Sequence, residues 1–248
     1  MNDAPALTAP TLSAPAGTDT AAARDMMVDG QVRPNKVIDP RIIRAMRTLP
    51  RERFVPPHLA ARAYVDEDVP LPGGRCLMEP MVIARLVQML RVRDGERGLV
   101  VAAGAGYGAA LLDACGGVVT ALEEDAALLA LARAVLPAFA PRVTVVEGPI
   151  AAGWAAGAPY DFILIEGSVG AIPNVLAAQL APMGRLAAVV TKPGRSGPVT
   201  PGAGGMIGQG VLAEPVHVGA ATTLRAQPFF DCATPMLPPF MPQAGFVF

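Results

Sequence analysis

Leu99-Val100-Val101-Ala102-Ala103-Gly104-Ala105-Gly106-Tyr107-Gly108 passes from an unbroken aliphatic run through a glycine-rich turn into a helical pattern. A strand buried on both faces of a sheet has this continuous apolar texture, which predicts a strand over 99–103. Glycine after such a strand lets the backbone approach a ligand closely, and the helix that follows points its first amides at a negative group. About twenty residues on, Glu123 closes the next aliphatic run, where a carboxylate can take both ribose hydroxyls of a nucleoside. Gly104, Gly106 and Ala109 also satisfy the relaxed dinucleotide fingerprint. These residues alone therefore do not separate a nicotinamide dinucleotide from another adenosine-bearing cofactor.

The alternation extends outward from this turn. Short apolar runs predict strands over 118–122, 143–146, 162–165 and 186–190, with helices over 107–115, 126–136 and 173–180. Strands alternating with helices make an α/β fold with a doubly wound, mostly parallel sheet. Upstream, Asp39-Pro40 followed by Ile42, Ile43, Met46 and Leu49 reads as an N-cap, a first-turn proline and an apolar helical face. Glu79-Pro80 opens another helix, with Val82, Ile83, Leu86, Val87 and Leu90 as its buried stripe. Downstream, glycine and proline crowd 193–210, predicting a long loop, and 211–218 with 222–230 read as an antiparallel hairpin at the sheet edge. The proline-rich end from 235 to 248 carries aromatics expected to pack across the domain.

A hydrophobic share of 52% with 17% charged residues suits one large core. Twenty Lys+Arg against 21 Asp+Glu leave a net charge of −1, and the arginines are scattered, so no nucleic-acid footprint is expected. Cys76, Cys115 and Cys232 lack metal-ligand spacing, and His58 and His217 are the two histidines, so no metal site is expected. Three reduced thiols, no secretion signal and no segment apolar enough to span a membrane together predict a cytoplasmic protein.

Four further segments resemble one family, the protein-L-isoaspartate O-methyltransferases. They are Met27-Val-Asp-Gly-Gln-Val-Arg33-Pro34, Leu49-Pro-Arg-Glu-Arg-Phe54-Val-Pro, Ala158-Pro-Tyr-Asp161-Phe-Ile-Leu-Ile-Glu166 with Ile172-Pro173, and Leu180-Ala-Pro-Met-Gly184-Arg185-Leu186. The resemblance implies a Rossmann-like methyltransferase with S-adenosylmethionine lying over the carboxyl ends of the strands. It also implies a protein or peptide substrate, whose isoaspartyl carboxylate receives the methyl group in a repair reaction. By position it puts Ala102, Gly104, Gly106 and Tyr107 at the methionine end of the cofactor, Glu123 on the ribose, and Gly148 with Pro149 at the adenine. The expected organisation is a disordered tail over 1–24, an N-terminal helical extension on the acceptor side over 25–96 and a cofactor-binding core over 97–191. Loop, hairpin and C-terminal segment follow over 192–248, within the same domain.

Departures from the family pattern fall at the site. Val100 and Ala102 stand where it has an acid and a glycine, and alanine suits that place only if φ stays negative. The usual Gly-Asp-Gly is Gly148-Pro149-Ile150, and the acceptor loop Thr-Ile-Ser-Gln-Pro is Cys76-Leu77-Met78-Glu79-Pro80. Met78 cannot donate a hydrogen bond as serine does. Glu166 replaces a threonine, so Met78, Glu79 and Glu166 are the acceptor-loop candidates, with no catalytic residue assigned. Two ionised glutamates facing a carboxylate at ~4 Å cost roughly 4 kcal/mol each at an effective dielectric near 20. A methyltransferase with a neutral or cationic acceptor, and a cofactor-binding protein without catalysis, therefore stand beside the isoaspartyl reading.

Overall fold

In a computed structural model of the chain, residues 20–191, 207–218 and 221–241 are described. Helix α1, Thr20–Met27, begins inside the segment expected as tail, because Arg24 reaches the carbonyl of Arg47 at 2.8 Å and Met27 is buried. The rest of that expected tail, 1–19, lies outside the described residues. Helix α2, Pro40–Thr48, starts as its sequence dictates, the Asp39 carboxylate accepting the Arg41 N–H at 2.9 Å. A small hairpin follows that the sequence does not signal: β1, Val69–Pro70, pairs antiparallel with β2, Cys76–Leu77. Helix α3, Pro80–Leu90, then buries the expected stripe of Val82, Ile83, Leu86, Val87 and Leu90.

The alternating core runs β3 (Arg97–Val101), α4 (Tyr107–Ala114), β4 (Val118–Glu123), α5 (Ala126–Phe139), β5 (Thr144–Glu147), β6 (Tyr160–Val169), α6 (Asn174–Ala177) and β7 (Leu180–Val190). Strands β8, Ile207–Val218, and β9, Ala221–Ala233, complete a seven-stranded sheet of order β5-β4-β3-β6-β7-β8-β9. The first five strands are mutually parallel, and β8 and β9 add the expected antiparallel hairpin at one edge. In β3 and β6, Val100, Phe162 and Leu164 face one apolar layer while Leu99, Val101, Ile163 and Ile165 face the other. Both layers are dry, which is why these strands read as unbroken apolar runs. The first layer also holds Met27, Met46, Phe54 and Leu86, so the N-terminal extension and the alternating core share one hydrophobic interior. No helix among the described residues is long and apolar enough to cross a membrane.

Two expectations are corrected, and a third lies partly outside the described residues. The helix over 173–180 shrinks to the four residues of α6, because Leu180 is already registered against Tyr160 in the sheet. The expected loop over 193–210 ends in strand, Gln209 pairing with Val190, while 192–206 lies outside the described residues. Of the C-terminal segment, Met236 bridges to Ser168 and Leu237 is buried, whereas 242–248 lies outside the described residues.

Ala102 also departs from expectation. Its φ is 59°, in the left-handed region, so the chain leaves β3 two residues earlier than the apolar run suggests. A Cβ there costs about 1–2 kcal/mol, and glycine relieves it at the expense of some unfolded-state entropy. We therefore expect Ala102→Gly to raise the unfolding free energy by about 0.5–1 kcal/mol. A urea midpoint that stays put or falls would show that the methyl, buried against Ile165 and its neighbours in the second layer, contributes more than its strain costs.

Candidate cofactor and acceptor site

The glycine turn sits at the carboxyl end of β3, with Gly104 at φ 56° and Gly106 at φ 92°. A Cβ on Gly106 would lie 2.7 Å from Leu136 Cδ1, so both its angle and the helix packed above it demand glycine. Glu123, ending the neighbouring β4, accepts the Gly104 N–H at 2.9 Å, as its place in the sequence suggests. It also accepts the N–H groups of Glu124 at 2.8 Å and Asp125 at 3.0 Å. The remaining partner is an arginine that the sequence reading passed over. Arg75 holds both Glu123 oxygens through Nε at 3.3 Å and Oε1 through Nη2 at 3.2 Å, with both side chains almost wholly buried.

Gly148, the residue expected at the adenine, is tied to the Glu123 carbonyl at 3.1 Å and lies against Leu122 and the half-buried Trp154. Pro149 follows at φ −65° and brings no polar group. Beside it stands a second residue the sequence did not single out: Glu124 accepts the Ile150 N–H at 3.0 Å and pairs with Arg75 at 3.0 Å. An acid directly after the strand-closing Glu123 was the available signal.

On the acceptor side the three candidates separate. Met78 is buried in the core, and only its backbone carbonyl is used, accepting from Arg51 Nη2. Glu79 makes no side-chain cap on α3, although its own N–H donates to Asp68 at 2.6 Å. Burial, then Asp66 and Asp68 nearby, push its carboxyl up to about 7. Glu166 is buried against α4, where a Cβ on Gly108 would come within 2.2 Å of its Oε1. Burial, and then the charge of Glu123, push Glu166 up to about 8, with Arg51 pulling the other way. The expected repulsion of a carboxylate therefore fails at Glu166, which is mostly uncharged at neutral pH.

Arg51, which the sequence does not single out, is fully buried and anchored by the carbonyls of Ala63 and Met78. Its guanidinium carbon stands 5.0 Å from the centre of the Tyr107 ring, which meets Phe54 edge-on at 5.3 Å. Tyr107 is thus packed between arginine and phenylalanine. Arg51 Nη1 and Glu166 Oε1 are buried without a hydrogen-bond partner among the described residues, as a site for a polar ligand would leave them. His58 is exposed, and Arg33 makes a surface pair with Asp29. For the adenosyl cofactor that the family resemblance implies, the glycine turn and the strand-closing acid fit in kind. Arg75 is paired to that acid.

The chain can be set beside known proteins at this point. A family model described as protein-L-isoaspartate(D-aspartate) O-methyltransferase matches residues 23–198. The protein-L-isoaspartate O-methyltransferase of Methylorubrum extorquens (strain PA1) is 43% identical over 190 residues, covering 77% of this chain and 83% of the relative. The protein of the same name from Koribacter versatilis (strain Ellin345) is 36% identical over 177 residues, 71% of this chain and 80% of its own. Among solved structures, a protein-L-isoaspartate O-methyltransferase superposes with a TM-score of 0.65 at 18% identity, covering 87% of this chain and 65% of that one. A Plasmodium falciparum protein described as a beta-aspartate methyltransferase, in complex with S-adenosyl-L-homocysteine, gives 0.63 at 16% identity, covering 86% and 97%. These two structural likenesses show the fold.

Proposed function

The chain belongs to the protein-L-isoaspartate(D-aspartate) O-methyltransferase family, and we propose from that membership that it methylates the free carboxylate of isoaspartyl residues in proteins or peptides. The methyl donor is S-adenosylmethionine. When bound, that cofactor supplies a methyl group already activated on a sulfonium, so the protein's share is alignment and exclusion of water. Gly104 and Gly106 give the backbone room beside the cofactor, and Glu123 offers its carboxylate to the ribose. Glu124 and Gly148 border the adenine.

The observation that carries the acceptor assignment is the state of Glu166. Burial against α4 pushes its carboxyl up to about 8, so it tends to the protonated form and repels a substrate carboxylate less than an ionised glutamate would. The Arg51 charge acts on Glu166 in the opposite sense, favouring its carboxylate. The motive for a cationic acceptor is weakened at Glu166, while Glu79, pushed up to about 7, stays partly ionised at neutral pH. The acceptor side is furnished by 25–96, and the free cysteines support a reducing, cytoplasmic setting.

The test is methanol release from an isoaspartyl peptide incubated with the purified chain and methyl-labelled S-adenosylmethionine, beside the normal aspartyl peptide. We expect release from the isoaspartyl peptide alone. None from either, where another member of the family is active, would refute the reading.

A further inference from the structure

We propose that Arg75 is an internal competitor of the cofactor: it occupies on Glu123 the place of the ribose hydroxyls, and the turn that carries it swings out before an adenosyl ligand enters. This rests on the reading above that Glu123 is the ribose acid. A carboxylate offers about four lone-pair directions. On Glu123 these receive Arg75 Nε and Nη2 and the N–H groups of Gly104, Glu124 and Asp125. Three of those donors are backbone at the ends of β3 and β4 and stay with the fold. Arg75 alone is a side chain, so the hydroxyls can enter only where it leaves.

The element carrying Arg75 is small. Strands β1 and β2 pair through two residues each, and the turn between them closes with the Leu71 N–H on the Arg75 carbonyl at 2.9 Å. Gly73 and Gly74 lie at φ 65° and 68°, so the turn is built on two left-handed glycines. Leu71 of the same turn shields the cofactor loop, its Cδ1 lying 3.8 Å from the Cβ position of Gly104. One movement therefore uncovers both the glycine loop and the acid. A closed population lowers apparent affinity in proportion, since only the open fraction binds.

Calorimetric titration of the full chain with S-adenosylhomocysteine tests this, in the natural sequence and in Arg75→Gln and Arg75→Lys. We expect Arg75→Gln to bind at least about tenfold more tightly, the gain for a turn closed about nine-tenths of the time, with Arg75→Lys between. Fluorescence of Trp154, which lies against Gly148, gives an independent binding readout. In the natural chain, amide exchange over 71–75 should quicken when the ligand is added. Equal or weaker binding by Arg75→Gln, or binding by neither chain, overturns the proposal. Slower exchange over 71–75 overturns it too, and decides the matter should the variants not fold. Tighter binding without methanol from the isoaspartyl peptide leaves the competitor standing and sinks the acceptor reading. Methanol release with unchanged affinity does the reverse.

Discussion

Replacing Glu123 with alanine lowers the unfolding free energy by about 3–5 kcal/mol, chiefly because three backbone N–H groups lose a buried acceptor, with a smaller part from Arg75, whose turn can open. Arg75 would keep Glu124 and the Gly73 carbonyl but lose its fully buried acceptor. The N–H groups of Gly104, Glu124 and Asp125 would lose theirs as well. For a domain of this size the melting temperature should drop by roughly 10 °C. A solvated ribose acid, which is all the sequence implies, would cost almost nothing on removal. The pair can be isolated by a double-mutant cycle: Arg75→Ala with Glu123→Ala together should cost clearly less than the sum of the two alone. Additive losses, or a Glu123→Ala change below about 1 kcal/mol, would show that the buried pair is not what holds the turn.

The second large effect is on pH dependence. Glu166 rises to about 8 and Glu79 to about 7, each chiefly by burial, against 4.5 for an unperturbed glutamate. Both bind their proton more tightly in the folded chain, so the folded state holds more protons than the unfolded between about 4.5 and 8. Their stabilising contribution is complete below 4.5, falls as pH rises through 7 and 8, and is gone above that. Asp68, raised by burial, acts in the same sense, whereas Asp39, lowered by its hydrogen bond to Arg41, acts oppositely at low pH. A shift of this size at Glu166 alone is worth on the order of 4 kcal/mol. Urea unfolding should show a marked loss of stability from pH 5 to pH 8. The loss should shrink in Glu166→Gln, which keeps the shape without the ionisable proton. If natural chain and variant lose stability in parallel, Glu166 is already ionised at neutral pH. The repulsion of a carboxylate acceptor would then return, and with it a changed acceptor.

Much of the fold was legible because the signals are local. Asp39 and Pro40 do start α2, Glu79-Pro80 does precede α3, and each predicted strand of the core is present, shifted or lengthened at its ends. The helix over 173–180 was misread because apolar spacing cannot tell that the sheet claims Leu180. At the turn, the sequence placed Gly104, Gly106 and Glu123 where strands end, and the structure has them there. Arg75 and Glu124 were not legible, since neither lies in a motif whose spacing marks it. Met78 was read as a lost hydroxyl facing substrate, yet its side chain belongs to the core.

Periodicity, caps and glycine turns join residues a few positions apart, so the layered sheet, its crossover helices, the edge hairpin and the nucleoside turn were determined by the amino-acid order itself. Tertiary structure alone decided the left-handed φ of Ala102, the inward direction of Met78, the burial that raises Glu166 and the partner of Glu123, which comes from 48 residues away. The reason is that charge state and hydrogen-bond occupancy depend on which groups exclude water from one another. Burial of that kind is a property of distant segments brought together, and no window of sequence contains it.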